Sequence, residues 1–194
     1  MKEGDAIDLE RLRGRLASRP RLGLHLDGYR SASVLVPLWQ VADEEPRMIL
    51  IVRRADLRAH AGQIALPGGG REDIDADATA TALREAREEL GIPPESATVL
   101  GLLDDVPTPT GYVITPVVAA VSGPLTLEPA PAEVAEVLVP PLSDLQHPER
   151  YRLGGQTTFL GVTYTMHEYH WEERRIWGAT ARILHQLFKL LDEP

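Results

Sequence analysis

The sequence predicts an α/β fold in which an acidic helix follows a glycine-rich turn. Two short apolar runs, at 33–39 and 48–52, precede the turn at 68–70, and an amphipathic stretch over 77–90 follows it. Short apolar runs between turn residues are typical of strands, whereas apolar residues spaced three and four apart are typical of a helix. The order of strand, turn and helix over 48–91 therefore favours a sheet with a helix packed on it.

The other elements follow from the same patterns. Residues 7–17 are predicted to form a short amphipathic helix that braces the N-terminal part of the chain and ends before Pro20. The acidic turn 42–46 joins the first two apolar runs, so we expect a hairpin with both strands in one sheet. Further strands are predicted at 99–103, 113–120 and 134–139, and a long C-terminal helix is predicted at 173–191.

The composition narrows the classes of function. The chain has 194 residues, 43% hydrophobic and 25% charged, which suits one globular domain. A net charge of −9 argues against nucleic acid or a membrane surface as partner, so an anionic ligand needs local arginines or a metal. The absence of cysteine excludes disulfides, thiol nucleophiles and cysteine-bound zinc. No signal peptide or membrane span is apparent, and a soluble cytoplasmic protein is expected.

Three carboxylates crowd one side of the acidic helix. At about 100° per residue, Glu85, Glu88 and Glu89 fall within one arc, beside an apolar arc that can face the core. Carboxylates at the edge of a buried helix can bind Mg²⁺ or Mn²⁺. Taken alone, the charges fit a solvated face screened by Arg84 and Arg87 equally well. The glycine turn favours the metal site, because glycine lets the backbone approach a ligand closely.

The turn and the helix together resemble the signature of the Nudix hydrolases, which is a glycine, a spaced acid and an Arg-Glu-x-x-Glu-Glu-x-Gly run. The run is complete here from Arg84 to Ile92, but the family's spaced glutamate would fall at Ala76. Asp75, one residue earlier, is the nearest acid, which a one-residue insertion explains. The resemblance implies a single domain over 1–194.

The expected architecture is a Nudix-type α/β/α sandwich with a mixed β-sheet and a loop-helix-loop catalytic motif. The resemblance covers a core at 33–188, which leaves 1–32 as an N-terminal extension. The acidic helix is expected to pack on the sheet.

A second motif directly upstream resembles the coenzyme A pyrophosphatase branch of this family. A strand is followed by Arg53, Arg58, Gly62 and the Pro67-Gly68-Gly69 turn, as in that branch. The branch's usual threonine, small residue and phenylalanine are replaced by Ile51, Arg54 and Leu66. The aspartates after the glycines and the Thr-Ala-Leu-Arg-Glu start of the acidic run also follow the habit of that branch.

The resemblance implies hydrolysis of the pyrophosphate bond of coenzyme A to 3′,5′-ADP and 4′-phosphopantetheine, with Mg²⁺ or Mn²⁺ as cofactor. Metal-activated water is the expected nucleophile. The candidate metal ligands and catalytic residues are Glu85, Glu88 and Glu89, with Arg84 orienting a helix glutamate and Glu133, backed by Glu136, as general base. The candidate substrate-binding residues are Arg53, Arg58, Gly68 and Gly69, because arginine suits phosphate oxygens.

Two alternatives remain open at this stage. One is a Nudix hydrolase of another nucleoside diphosphate derivative, such as ADP-ribose or a dinucleotide polyphosphate. The other is a non-catalytic module that binds nucleotides, although such modules commonly lose the helix carboxylates, which are all present here.

His60 is expected to make a loop hydrogen bond, and Trp177 to be structural within the C-terminal helix. Tyr112 and Trp171 either stack on adenine or lie in the core.

Overall fold

A computed structural model describes residues 7–40, 44–55 and 62–192 and shows a mixed sheet between helices. The central strands β1 (Arg30–Gln40) and β8 (Tyr112–Ser122) run parallel over their whole length, and their other neighbours in this sheet are antiparallel. In chain order the elements are α1 (Leu9–Ser18), β1 (Arg30–Gln40), β2 (Arg47–Met48), β3 (Leu50–Arg53), β4 (Ile64–Ala65), β5 (Gly68–Gly70), α2 (Ala78–Leu90), β6 (Ala97–Leu102), β7 (Val106–Pro107), β8 (Tyr112–Ser122), β9 (Val134–Leu138), α3 (Leu142–Gln146), β10 (Tyr151–Phe159), β11 (Val162–Trp171), β12 (Arg174–Ile176) and α4 (Gly178–Asp192).

The main sheet carries an apolar core on each face. On one face, Ala82, Ala86 and Leu90 of α2 pack against alternate residues of β1 and β8. On the other face, α1 and α4 pack against the intervening residues of the strands, such as Val36 and Val118. Leu12 of α1 and Leu184 of α4 are almost fully buried there. The predicted α/β/α arrangement with a mixed sheet is confirmed. The predicted N-terminal extension contributes α1 to this second core.

The acidic helix α2 has the predicted limits because both ends are capped. The carboxylate of Asp77 accepts a hydrogen bond from the N–H of Ala80, which satisfies one of the free amides of the first turn. At the other end Gly91 is left-handed, with φ of 69°, and its N–H donates to the carbonyls of Ala86 and Arg87. These caps fix the length of the helix and so the position of its carboxylates.

The prediction that 33–39 and 48–52 share one sheet is wrong in part. β2 does form a hairpin with β1, with Leu38 opposite Met48. β3 instead joins β4 and β9 in a separate three-stranded sheet. The residue between them, Ile49, is fully buried, so the apolar run continues through the change of sheet and gives no sign of it. The predicted turn 42–46 lies partly outside the described residues.

The C-terminal helix begins later than 173–191 predicts. Residues Arg174–Ile176 form β12, the edge of a third sheet with β10 and β11, and the helix starts at Gly178. Trp177 precedes the helix, is 44% exposed and lies under the guanidinium of Arg175, so its assignment to a helical apolar stripe is wrong. No helix within the described residues is long and apolar enough to span a bilayer.

The predicted turn at 68–70 is a short strand, β5, which pairs antiparallel with β1. The Thr- and Gly-rich hairpin of β10 and β11 is absent from the predicted elements. Short or polar strands lack the apolar alternation that marks a strand in the sequence.

Candidate active site

The candidate site lies where β5 passes the edge of α2. The pairing of Gly69 with Ser33 of β1 holds the strand in place, and the carboxylate of Glu85 lies directly over Gly69. A Cβ added at Gly69 would be 2.5 Å from Glu85 Oε1, which is closer than real Cβ contacts. Only glycine therefore allows this approach of strand and carboxylate.

Glu89 is the buried carboxylate of the site, with 2% of the residue exposed. Its Oε2 accepts a hydrogen bond of 2.9 Å from the N–H of Gly68, whereas its Oε1 has no hydrogen-bond partner. Burial raises the pKa of Glu89 to about 7, against the opposing effects of the Gly68 amide and the Arg53 guanidinium. A buried oxygen with a free lone pair is suited to bind a cation.

Arg84 connects the loop before α2 with two of the predicted metal ligands. Its Nε and Nη2 donate to the two oxygens of Asp75, each at 3.0 Å. Its Nη1 donates to Glu85 Oε1 at 2.9 Å and to Glu88 Oε2 at 3.0 Å. The same guanidinium thus positions both carboxylates relative to the loop.

Asp75 is a buried counter-ion of Arg84 rather than an open ligand. Its Oδ2 also accepts hydrogen bonds from the Thr81 hydroxyl and from the N–H of Glu72. The hydrogen bonds from Arg84 hold the pKa of Asp75 well below its usual range, and Asp75 in turn raises the pKa of Arg84. The sequence motif assigns no role to Asp75, and Thr81 is not among the residues that it predicts for the site. The run from Arg84 to Ile92 does not by itself indicate that Arg84 pairs with Asp75.

The three helix carboxylates differ in burial. The side chain of Glu85 is 15% exposed, that of Glu88 is 58% exposed and that of Glu89 is 3% exposed. Burial raises the pKa of Glu85, an effect that its bond with Arg84 opposes. Across the residues that the structure describes, no three acidic or histidine side chains are already grouped around a metal-sized space. Glu88 is directed to Arg84, so it would have to reorient to join the other two.

Glu133 reaches the site through backbone contacts at the end of α2. The N–H of Ala130 donates to the carbonyl of Glu89 at 2.8 Å, and the N–H of Arg54 donates to the carbonyl of Glu133 at 3.0 Å. The Glu133 side chain is exposed, and its charge raises the pKa of both Glu85 and Glu89. Its carboxylate therefore acts on the same region as the helix carboxylates.

The remaining candidate residues have other surroundings. The carboxylate of Glu136 accepts hydrogen bonds from Nη1 and Nη2 of Arg174, at 2.9 and 3.0 Å. The indole N–H of Trp171 donates to Asp144, and Tyr112 lies under the guanidinium of Arg30. Arg58 and His60 lie outside the described residues, so the structure says nothing of their positions.

Comparison with known proteins identifies the family. The sequence profile of the NUDIX domain matches residues 30–160. A protein of Escherichia coli strain K12, described as an uncharacterized Nudix hydrolase, NudL, is 38% identical over 169 residues. That alignment covers 87% of this chain and 86% of the relative.

The chain belongs to the Nudix hydrolase family.

Other proteins similar to this Nudix hydrolase support the same family and fold. A protein of Photorhabdus laumondii, also described as an uncharacterized Nudix hydrolase NudL, is 39% identical over 161 residues, 83% of this chain and 84% of the relative. The crystal structure of the Nudix hydrolase RenU from M. smegmatis has a TM-score of 0.51 and 26% identity, covering 63% of this chain and 80% of that one. A MutT/nudix family protein from Enterococcus faecalis shares the fold, with a TM-score of 0.54, 17% identity, and coverage of 88% and 65%.

Nudix hydrolases act on small molecules, nucleoside diphosphate derivatives, and generally use divalent metals such as Mg²⁺ or Mn²⁺. The residues of this Nudix site fit such an ion. Glu89 Oε1 is buried without a hydrogen-bond partner, and the space over Gly69 that a Cβ would fill is occupied by the Glu85 carboxylate. Hard oxygen donors of this kind match Mg²⁺ and Mn²⁺.

The close contact at Gly69 leads to a testable expectation. Gly69→Ala should lower kcat/KM about a hundredfold, because the new methyl group displaces the Glu85 carboxylate. Gly70→Ala is the matched control, since a Cβ at Gly70 meets nothing within 4 Å. Steady-state kinetics of both variants, with circular dichroism to confirm folding, make the test. Equal activity of the two variants would show that this approach is unimportant.

Proposed function

We propose that this Nudix hydrolase cleaves the pyrophosphate bond of coenzyme A and its derivatives, giving 3′,5′-ADP and 4′-phosphopantetheine. The observation that carries the proposal is the position of Arg53. This residue of the upstream motif ends β3 beside the acidic helix, with Nη1 3.7 Å from Glu89 Oε1. One arginine of the motif that resembles the coenzyme A branch therefore lies beside a carboxylate of the family signature, which supports the proposal.

The carboxylates of Glu85, Glu88 and Glu89 are the proposed ligands for Mg²⁺ or Mn²⁺. A divalent ion bound there would neutralise charge on the diphosphate and lower the pKa of a bound water. Arg84 keeps Glu85 and Glu88 in position through its Nη1. The amide of Gly68 keeps Glu89 in position. These supports leave Glu85 and Glu89 with little freedom to reorganise, whereas Glu88 has to turn away from Arg84 to join them.

Proton transfer and substrate binding are assigned to residues around the carboxylates. Glu133 is the proposed general base that accepts a proton from the attacking water, because it is exposed and its charge raises the pKa of both Glu85 and Glu89. Water attacks one phosphorus, the bond from that phosphorus to the bridging oxygen breaks, and this oxygen leaves with the other phosphate. Glu136 is less suited as a base, because Arg174 engages both of its oxygens. Arg53 can donate forked hydrogen bonds to the diphosphate.

The substrate is tested by mass analysis of products. The panel contains coenzyme A, acyl-coenzyme A, NADH, ADP-ribose and diadenosine polyphosphates, each with Mg²⁺ and with Mn²⁺. Release of 3′,5′-ADP and 4′-phosphopantetheine at the highest kcat/KM is expected. Faster cleavage of ADP-ribose or of a dinucleotide would replace the coenzyme A assignment with that substrate. If no compound of the panel released a product with either metal, the protein would be a binding module and not an enzyme.

The two upstream arginines are expected to bind different phosphate groups of the substrate, Arg58 the 3′-phosphate and Arg53 the diphosphate. Arg58→Ala should lower kcat/KM for coenzyme A about 10- to 100-fold more than for dephospho-coenzyme A, because the lost contact is to the 3′-phosphate. Arg53→Ala should lower both values equally, because the diphosphate is common to both compounds. Equal losses for the two compounds in Arg58→Ala would contradict recognition of the 3′-phosphate by this residue.

A further inference from the structure

Arg53 and Glu89 form an incomplete ion pair. Arg53 Nη1 and Glu89 Oε1 are 3.7 Å apart, which is too long for a hydrogen bond. Glu89 Oε1 and Arg53 Nε are both buried without a hydrogen-bond partner. Buried charged atoms that lack partners cost free energy, so the structure retains a cost here that a bound ligand would relieve.

The surroundings fix the carboxylate more firmly than the guanidinium. Glu89 Oε2 is bonded to the Gly68 amide, and its side chain is 3% exposed. The Arg53 backbone is held by its N–H, which donates to the Gln63 carbonyl, and by its carbonyl, which accepts from Gly62. The Arg53 side chain is 24% exposed and reaches solvent. Of the two groups, the guanidinium is therefore the one that can move away.

We propose that Arg53 is a built-in counter-ion that a divalent cation displaces from Glu89, and that the released guanidinium then binds the substrate diphosphate. This inference rests on the proposed function, because it uses the same carboxylate as a metal ligand. It adds an order of binding. Glu89 Oε1 would bind the divalent ion first, and the Arg53 guanidinium, released from this oxygen, would then bind the diphosphate.

The counter-ion and the metal compete because both are cations. A monovalent and a divalent cation about 5 Å apart repel each other enough, even with the dielectric constant of water, to weaken metal binding about tenfold. The diphosphate removes this conflict by drawing Arg53 toward its own oxygens. Metal and diphosphate should therefore bind cooperatively, and the cooperativity should depend on Arg53.

The test measures Mn²⁺ binding to substrate-free protein by calorimetry at pH 8.5. Arg53→Gln should bind Mn²⁺ about tenfold more tightly than the wild type, because the competing charge is gone. Arg53→Lys, which keeps the charge, should stay near the wild type. Arg13→Gln is the control: it removes one positive charge from α1, on the far side of the sheet from α2, and should leave Mn²⁺ binding unchanged.

A second titration uses methylenediphosphonate as the probe for the diphosphate. With Mn²⁺ at saturation, the probe should bind Arg53→Gln about tenfold more weakly than the wild type. An independent measurement needs no variant of Arg53: adding Mg²⁺ should shift the Arg53 Nε–H signal in the NMR spectrum of the wild type but not of Glu89→Gln.

The outcomes separate this inference from the proposed function. Unchanged or weaker Mn²⁺ binding by Arg53→Gln, or an Arg53 signal unaffected by Mg²⁺ in the wild type, overturns the counter-ion role. Wild-type protein that binds no Mn²⁺ would instead overturn the metal site, and with it the proposed function.

Discussion

Replacing Glu89 by glutamine is expected to lower kcat at least about a hundredfold while the fold stays intact. Glutamine has nearly the same volume, and its side-chain oxygen can still accept the hydrogen bond from Gly68. The variant loses the negative charge of the most buried carboxylate and the unpartnered oxygen that suits a metal. Steady-state hydrolysis of coenzyme A with saturating Mg²⁺ measures the effect, and thermal unfolding verifies the fold.

Two further variants complete this experiment, one at a second helix carboxylate and one as a control. Glu88→Gln is expected to reduce kcat in the same way, since Glu88 belongs to the same carboxylate set. Glu95→Gln changes an exposed carboxylate in the turn after α2 and should keep full activity. Near-normal turnover of both Glu88→Gln and Glu89→Gln with saturating Mg²⁺ would remove the helix from the mechanism.

Replacing Asp75 by asparagine is expected to lower the free energy of unfolding far more than the same change at an exposed aspartate does. The side chain of Asp75 is 3% exposed and that of Arg84 is 14% exposed, so the variant leaves the guanidinium charge largely buried beside a neutral amide. Asparagine can accept one of the two bonds from Arg84, but its NH₂ group meets a second donor. Urea unfolding measures the loss. Asp73→Asn, an exposed aspartate in the same loop, should change stability by less than about 0.5 kcal/mol.

The same ion pair makes a prediction about pH. The pKa of Asp75 is below its ordinary value of 3.8, so the folded protein binds this proton more weakly than the unfolded chain does. The stabilisation is complete above pH 3.8 and is lost as the pH falls further toward the folded pKa. The stability difference between wild type and Asp75→Asn should therefore shrink on acidification below that value. A difference that stays constant down to pH 2 would show that the charge on Asp75 is not its source.

The regular parts of the fold were predictable because local chemistry and packing agree there. The limits of α2 follow from Asp77 and Gly91, and the apolar arc that packs on the sheet follows from helical spacing. The hairpin of β10 and β11 was missed because it carries few buried apolar residues: Leu153 and Val162 are 68% and 64% exposed. Periodicity reports burial, so a strand with little burial leaves no such signal.

The candidate site was predictable only as a set of residues near one another in the sequence. Helical spacing placed Glu85 and Glu89 on one side, but it could not show that one would be nearly inaccessible. The contacts of Arg53 with Glu89 and of Asp75 with Arg84 depend on how strand and loop fold against the helix. Such contacts are tertiary, and no pattern within a short window encodes them.

The way in which Glu133 is attached to α2 has a consequence for how such an enzyme can diversify. The segment before it is joined to the helix through main-chain hydrogen bonds, from the amides of Glu128 and Ala130 to the carbonyls of Leu90 and Glu89. Main-chain bonds place few demands on side-chain identity. Exposed positions such as Pro131 and Ala132 are therefore free to change during evolution while the acid at position 133 keeps its place. Substitutions at these positions leave intact the hydrogen bonds that attach the segment to the helix.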